Sequence, residues 1–388
     1  MTNARVAGVG LTHFGNHPER TSRDLFAEAG LAALDDASVD PADVEAVHYG
    51  NFMGELSEHQ GHQGPLAAES LGVHAPATRY ESACASSGVA LRQAVRDVRN
   101  GEADVLVVGG AERMNNLDTA RTTEALAIAA DELYEVRAGM TFPGAYALMA
   151  NAYFEQFGGT REDLAHIAVK NHENAVGNDH AQYQSEITVE EAMDSPPVAS
   201  PLHLYDACPI TDGASAVVLV SEDYAERNDL DASIAITGTG QGGDMMALQD
   251  RENVATSPAA TDAADEAYAD AGVTAGDVDV AEVHDCFTIA EVLATESLGF
   301  FETGEGVAAA RDGVTTREGD LPVNLSGGLK AKGHPVGATG TSQVAELTRV
   351  LRGDHHNSEY VPDARVGVAH NAGGTVASAV VHVLEVQE

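Results

Sequence analysis

The chain is 388 residues long and carries 61 acidic against 21 basic side chains, a formal net charge of −40 at pH 7. A charge of that sign excludes nucleic acid and anionic membrane as partners, because both would be repelled. The length exceeds one ordinary core and predicts two or three domains.

Lysine occurs only as Lys170, Lys330 and Lys332, and the acidic residues are spread along the chain rather than gathered in a tail. With 44% hydrophobic residues there is enough apolar material for a core, so the charge points to a folded protein of a halophile, adapted to a salt-rich cytoplasm. At molar salt the Debye length shrinks to about 3 Å and self-repulsion is screened. Dialysis into dilute buffer is therefore expected to unfold the chain, and a circular dichroism spectrum unchanged by that dialysis contradicts the adaptation. The three cysteines, Cys84, Cys208 and Cys286, are too few and too scattered for a disulfide framework or a zinc site, which fits a reducing, cytoplasmic setting. No run approaches the roughly 18 apolar residues of a membrane span, and MTNARVAGVG lacks the apolar region of a signal peptide.

In chain order, Val6–Gly10 reads as a first strand. Thr21 or Ser22 then caps a helix carrying Leu25, Phe26, Ala29, Ala33 and Leu34, and Val44–Tyr49 is the next strand. The stretch Glu81-Ser-Ala-Cys84-Ala-Ser-Ser-Gly88 places a thiol among small residues, and the stripe Val89, Leu91, Ala94, Val95 and Val98 predicts a helix starting near Ala85. At a helix N-terminus the thiol's pKa should fall and the thiolate become available. On that stretch alone Cys84 is either a nucleophile or a small buried hydrophobe. Asp104–Gly110 is a continuous apolar run, suited to a strand covered on both faces.

From Leu117 to Pro201 the pattern loosens into short helical pieces, an insertion that shapes a cleft. Strands resume at 216–220 and 234–236. Ser257-Pro258 opens a helix that Gly272 closes, and strands follow at 280–283, 366–369 and 376–383. The run Val39–Val44 leading to Val47-His48 parallels Val273–Val278 leading to Val283-His284, with two extra residues in the second copy. The chain thus reads as two duplicated α/β halves, 1–116 plus 206–226 and 227–388, with residues 117–205 inserted in the first. Duplicated halves commonly place a site at their junction.

Two further clusters lie in the second half. Glu282-Val-His284-Asp-Cys286-Phe-Thr288 ends a predicted strand, where open α/β sheets display reactive groups. Asn324–Gly340 holds five glycines among seventeen residues and fixes His334 before Pro335, which describes a loop that approaches a ligand closely. Each alone is equally a hydrogen-bonded histidine or an ordinary turn.

Taken together with Cys84, the HDCF run at His284–Phe287, GHPVGATG from Gly333, PLHLYDACPITDGASA from Pro201 and His370–Gly374, the chain resembles the thiolase superfamily along almost its whole length. The nearest pattern is the branch of sterol-carrier-protein thiolases and archaeal acetyl-CoA acetyltransferases. The resemblance implies a thiolase fold: two mixed, mainly parallel sheets stacked as αβαβα layers, with residues 117–205 as a coenzyme A-binding loop domain. It implies that Cys84 is acylated, that His334 activates it, and that His284 with His334 binds an enolate oxygen. Backbone N–H groups of Cys84 and Gly373 would hold the acyl-enzyme oxygen, with Gly374 beside them.

The terminal loop lacks the second cysteine of biosynthetic thiolases, so Cys286 inherits the acid/base role by resemblance, while Cys208 is expected to be structural. Lys330 and Lys332 flank His334, and Lys332 in particular is a candidate for an anionic substrate group, the bland reading being two solvated lysines. Substrates would be acetyl-CoA, acyl-CoA and CoA, with no tightly bound cofactor. Relatives imply a homodimer or homotetramer, an OB-fold, zinc-ribbon accessory protein and hydroxymethylglutaryl-CoA synthase as partners. A decarboxylating ketoacyl synthase and a non-catalytic scaffold are the alternatives.

Overall fold

A computed structural model describes residues 3–387. The strands are β1 (Ala4–Leu11), β2 (Ala46–Gly50), β3 (Ala77–Tyr80), β4 (Val105–Glu112), β5 (Pro197–Ala199), β6 (Leu202–His203), β7 (Gly213–Ser221), β8 (Ile234–Gly243), β9 (Val280–Glu282), β10 (Val366–Gly373) and β11 (Ser378–Val386). The helices that matter for the site are α1 (Ser22–Ala37), α2 (Ser86–Arg99), α3 (Phe142–Phe157), α4 (Arg161–Ala175), α5 (Pro258–Ala271), α6 (Thr288–Ser297) and α7 (Thr339–Arg352).

Among the described residues, nine strands form one sheet in the order β3-β2-β4-β7-β1-β8-β11-β10-β9, and β5 pairs with β6 apart from it. In the first half β2 runs parallel to β3 and β4, while β7 is antiparallel to both β4 and β1. The second half repeats this: β9 is parallel to β10, and β11 is antiparallel to β10 and β8. The halves meet where β1 and β8 pair antiparallel through Ala4↔Ile236, Arg5↔Ala235 and Val6↔Ile234. The two expected sheets are therefore joined edge to edge.

The αβαβα layering follows from three apolar cores. Leu25, Phe26, Ala29 and Leu34 of α1 cover the outer face of the first half-sheet. Ala259, Ala263 and Ala267 of α5 do the same for the second. Between the half-sheets, Leu91, Ala94 and Val95 of α2 pack with Val344, Leu347 and Val350 of α7. A Cβ at Gly10 would stand 2.1 Å from the Ala29 carbonyl oxygen, and one at Gly240 would stand 2.0 Å from that of Ala263. Only glycine lets either outer helix lie so close to its strand.

The duplication stands, in a different register from the one read in the sequence. Val47 N–H donates to Pro76 O (3.0 Å) and Glu45 N–H to Val105 O (2.9 Å); in the second half Ala281 donates to Pro322 (3.1 Å) and Asp279 to Val366 (2.9 Å). Val47 thus matches Ala281 rather than Val283, and the second copy has no extra residues. A slip of two keeps every side chain on the same face of its strand, so the apolar pattern cannot detect it.

The cap of α1 is Thr21, with a capping box to Asp24. Ser257 and Gly272 bound α5 as expected, although the Ser257 side chain makes no capping bond. Residues 117–201 hold more than short helical pieces. The helices α3 and α4 run to 16 and 15 residues, and a Thr160/Asp163 capping box opens α4. From α4, Lys170 pairs with Glu291 of α6 at 2.5 Å and Asn171 Nδ2 donates to Asp285 at 2.7 Å, which fastens the insertion to the second half.

All three lysines are interior, at 4%, 3% and 0% exposure for Lys170, Lys330 and Lys332. The surface of the described residues is therefore lysine-free. The expectation of Lys332 at the substrate is corrected on this ground: its Nζ lies 3.7 Å from the fully buried Glu346. Burial alone would raise the Glu346 pKa, but Lys332, His355 and Arg349 bring it to about 2. Among the described residues no helix is long and apolar enough to cross a membrane.

Candidate active site

The reactive groups sit where β3, β9 and β10 end, on the loops that precede α2, α6 and α7 and on the β10–β11 turn. The chain leaves β3, passes Ala83 in the left-handed region (φ 49°), and presents Cys84 just before α2. A non-glycine residue held there costs about 1–2 kcal/mol, strain that the surrounding packing must sustain. The Sγ of Cys84 and one ring nitrogen each of His284 and His334 lie within 4.8 Å of one another. The imidazoles meet edge to face with centroids 5.0 Å apart. A cavity of about 300 Å³ adjoins this cluster, its wall including Cys84, Cys208, Cys286, His334 and Gly374.

Hydrogen bonds set the tautomers of the two histidines. Thr339 Oγ1 lies 3.0 Å from the Pro335 carbonyl, which can only accept, and 2.7 Å from His334 Nδ1. Having given its proton to Pro335, the hydroxyl must accept from Nδ1–H, so Nε2 of His334 keeps a free lone pair. For His284 the reverse holds. Asn371 Nδ2 donates to the Cys84 carbonyl (3.0 Å) and, 3.1 Å away, to His284 Nδ1. With Nδ1 accepting, Nε2 of His284 carries a proton, and this buried nitrogen has no partner. One histidine is ready to take a proton; the other is a donor awaiting an oxygen.

Burial drives the His334 pKa down to about 3 and pushes the Cys84 thiol up to about 12, against the Gly374 backbone N–H directed at the sulfur. This direction runs against the expectation of a thiolate made by the helix end, although Cys84 is only half-buried and faces the cavity. The resting pair is a neutral thiol beside a neutral imidazole, and the proton moves during attack. Alkylation of Cys84 by iodoacetamide should accordingly keep accelerating with pH beyond 9; a plateau near pH 7 would indicate a preformed thiolate.

Cys286 is buried in the cavity wall and burial pushes its pKa well above the ordinary thiol value. Cys208, expected to be structural, also lines the cavity, and its N–H donates to the Cys286 carbonyl at 3.0 Å. The amide facing Cys84 is that of Gly374, whereas Gly373 pairs with Ser378 at the end of β10. Lys330 is buried beside Cys208, Asp285 and Asp206, and burial lowers its pKa to about 8.

A family profile described as "Thiolase, N-terminal domain" matches residues 5–223, and one described as "Thiolase C-terminal domain-like" matches residues 240–386.

The chain belongs to the thiolase family.

It is 44% identical to the acetyl-CoA acetyltransferase of Methanothermobacter thermautotrophicus over 99% of both chains. It is 36% identical to the benzoylsuccinyl-CoA thiolase subunit BbsB of Thauera aromatica, covering 95% of this chain and 94% of that one. Sterol carrier protein 2 of Homo sapiens is 32% identical over 95% of this chain, which spans 69% of that relative. Among solved structures, the Ltp2-ChsH2(DUF35) aldolase superposes with a TM-score of 0.85 at 27% identity, covering 100% of this thiolase and 98% of that chain. The enzyme is an acyltransferase.

Three residues of this thiolase site escaped the sequence reading. Asn371 sets the His284 tautomer, and Gly88 and Gly340 leave room for it, since a Cβ at either would stand 2.6 or 2.5 Å from its Oδ1. Glu112 ends β4 and accepts from Asn51 Nδ2 (2.8 Å), Phe52 N (2.9 Å) and Gly337 N (3.1 Å), tying the GHP loop to the first half. Tyr146 of α3 donates to the Gly374 carbonyl at 2.9 Å. The pairing of His370-Asn371 with a Gly-rich turn was the only local signal, and it pointed to the loop rather than to the residue.

Proposed function

We propose that this thiolase is an acetyl-CoA C-acetyltransferase, condensing acetyl-CoA with an acyl group on Cys84 to a 3-ketoacyl-CoA and running the reverse thiolysis. The observation that carries the reading is the pair of opposite histidine tautomers around one thiol.

His334 Nε2 takes the Cys84 proton as sulfur attacks the thioester carbonyl. The oxyanion is held by the backbone N–H groups of Cys84 and of the 373–374 turn, each such donor being worth about 3 kcal/mol. Cys286, a thiol at rest, gives its proton to the departing CoA sulfur. This leaves a Cys286 thiolate and a protonated His334. A second acetyl-CoA then loses an α-proton to Cys286, and its enolate oxygen meets two donors, Nε2–H of His284 and Nε2–H of His334. Carbon–carbon bond formation expels Cys84, which recovers its proton from His334, so both thiols and both imidazoles return to their starting states.

This reading assigns the insertion, residues 117–205, to coenzyme A binding, supported by the cavity lining that Phe142, Pro143, Val198 and Leu204 provide. The chemistry needs no resident cofactor. The solved relative's name joins it to a DUF35 chain, which supports an accessory partner for this enzyme as well. A homodimer or homotetramer, a cytoplasmic and halophilic setting, and a supply role toward mevalonate or polyhydroxyalkanoate belong to the same proposal. Thiolysis of acetoacetyl-CoA and longer ketoacyl-CoAs, and the condensation, should both be measured in multimolar KCl, with and without the accessory protein. Turnover in both directions supports the assignment, and loss of CoA thioester only from a malonyl substrate overturns it in favour of a decarboxylating synthase.

A further inference from the structure

Tyr146 lines the cavity that holds Cys84 and Cys286, and nothing in the reaction above has used it. It is fully buried on α3, and its ring stacks on Phe287, next to Cys286, with centroids 4.7 Å apart and planes inclined by 26°. Its hydroxyl lies 2.9 Å from the carbonyl oxygen of Gly374, the residue whose N–H is directed at Cys84. The Cys286 thiol is a near neighbour of the phenol, and both residues line the cavity.

The proton count at this oxygen is restrictive. A carbonyl only accepts, so the phenol's single proton goes to Gly374, and toward Cys286 the oxygen offers lone pairs to the S–H. When Cys286 has lost its proton to the leaving CoA, that arrangement would set a lone pair against an anion. A rotation about the C–O bond turns the phenol proton to the thiolate, where a charge-assisted bond is roughly twice as strong as a neutral one. The other groups facing this pair are the thiols Cys84 and Cys208, the Asp285 carboxyl and the Arg251 guanidinium. Arg251 is occupied with the carbonyl and hydroxyl of Thr375. The phenol is therefore the neutral donor best placed to stabilise the thiolate.

We propose that Tyr146 is a positioning residue for the carbon–carbon bond-forming step, its hydroxyl accepting from the Cys286 thiol at rest and donating to the Cys286 thiolate once the proton has left. The same hydroxyl anchors Gly374 in the resting state, so it couples the acid/base thiol to the loop that faces the nucleophile. The inference rests on the acid/base reading of Cys286 and adds a residue from the insertion to it.

The test compares full-length wild type, Tyr146→Phe and Cys286→Ser in multimolar KCl. Phenylalanine keeps the stack on Phe287 and removes only the oxygen, and near-UV circular dichroism checks that packing is retained. Two rates are read separately: CoA release on a single acetylation of Cys84, and steady-state condensation across pH. In Tyr146→Phe the acetylation rate should stay within about threefold, while condensation falls roughly 10- to 100-fold and the alkaline limb of its pH profile moves up by about one unit as the thiolate loses its donor. An equal fall in both rates with an unshifted profile shows a merely structural tyrosine and overturns the proposal, as does an unchanged variant beside a crippled Cys286→Ser. If Cys286→Ser itself condenses normally, the acid/base reading falls, and the proposal with it.

Discussion

Replacing Cys84 by alanine should lower both thiolysis and condensation by about four orders of magnitude or more, leaving only the contribution of binding and of the oxyanion donors. The reason is stoichiometric. In the proposed cycle both half-reactions pass through a thioester on this sulfur, and neither Cys208 nor Cys286 would substitute. Cys286 is assigned the proton transfers of the second half-reaction, whereas it is Cys84 whose Sγ lies within 4.8 Å of a ring nitrogen of both His284 and His334. Serine at position 84 should be nearly as inactive. An alkoxide is far harder to form than a thiolate, and the neutral imidazole of His334, its pKa driven to about 3 by burial, is a weak base for it. The check is the steady-state rate of each variant against wild type in molar KCl.

Cys286→Ser should separate the two halves of the cycle. Acetylation of Cys84 needs only a departing CoA thiolate, a good leaving group without help, and should fall by less than about tenfold. Abstraction of the α-proton has no other base in reach: His334 already holds the Cys84 proton, and the accepting nitrogen of His284 faces Asn371. Condensation should therefore fall by about 10²–10⁴, the usual worth of a positioned acid or base. The measurement is CoA release in a single acetylation set against ketoacyl-CoA formation in the steady state. A decarboxylating synthase, in which no proton is abstracted, would be little affected, so the same variant tests the alternative chemistry.

The chemical core of the site was legible because each reactive group announces itself locally. Cys84 lies among small residues before a helix, His284 and Cys286 at a strand end, and His334 in a glycine-rich loop. What tunes them was legible only in part. Thr339 reaches His334 from within the same loop, but Asn371 lies 87 residues from His284 and 287 from Cys84, and Tyr146 lies 228 from Gly374, contacts that no local pattern reveals. The two physical misreadings have simple causes. Cys84 was expected to be acidic from its place near a helix end, but a local pattern does not reveal how much of the surrounding volume is protein. Lys332 was expected at the substrate because it is near His334 in sequence; the Gly328–Lys332 turn carries its side chain into the interior toward Glu346 instead.

The register of the internal repeat shows a further limit. Strand patterning repeats every two residues, so alternation recognised two related halves and still matched Val47 to the wrong partner. The backbone bonds to Pro76 and Pro322 correct it, and the correction also places the bridge Ala281↔Val323 where β3 stands in the first half. The GHP loop thus occupies, in the second half, the place of the stretch that carries Cys84 in the first. Cys84 and His334 lie on corresponding loops of the two halves, each ahead of a helix that packs between the half-sheets.

Mass spectrometry of the protein after brief exposure to acetyl-CoA in molar KCl shows whether Cys84 is the acyl carrier. One acetyl group is expected, confined to the peptide containing Cys84 and removed on adding CoA. Protein that stays unacetylated, or that carries the label on Cys208 or Cys286, rules Cys84 out as the carrier.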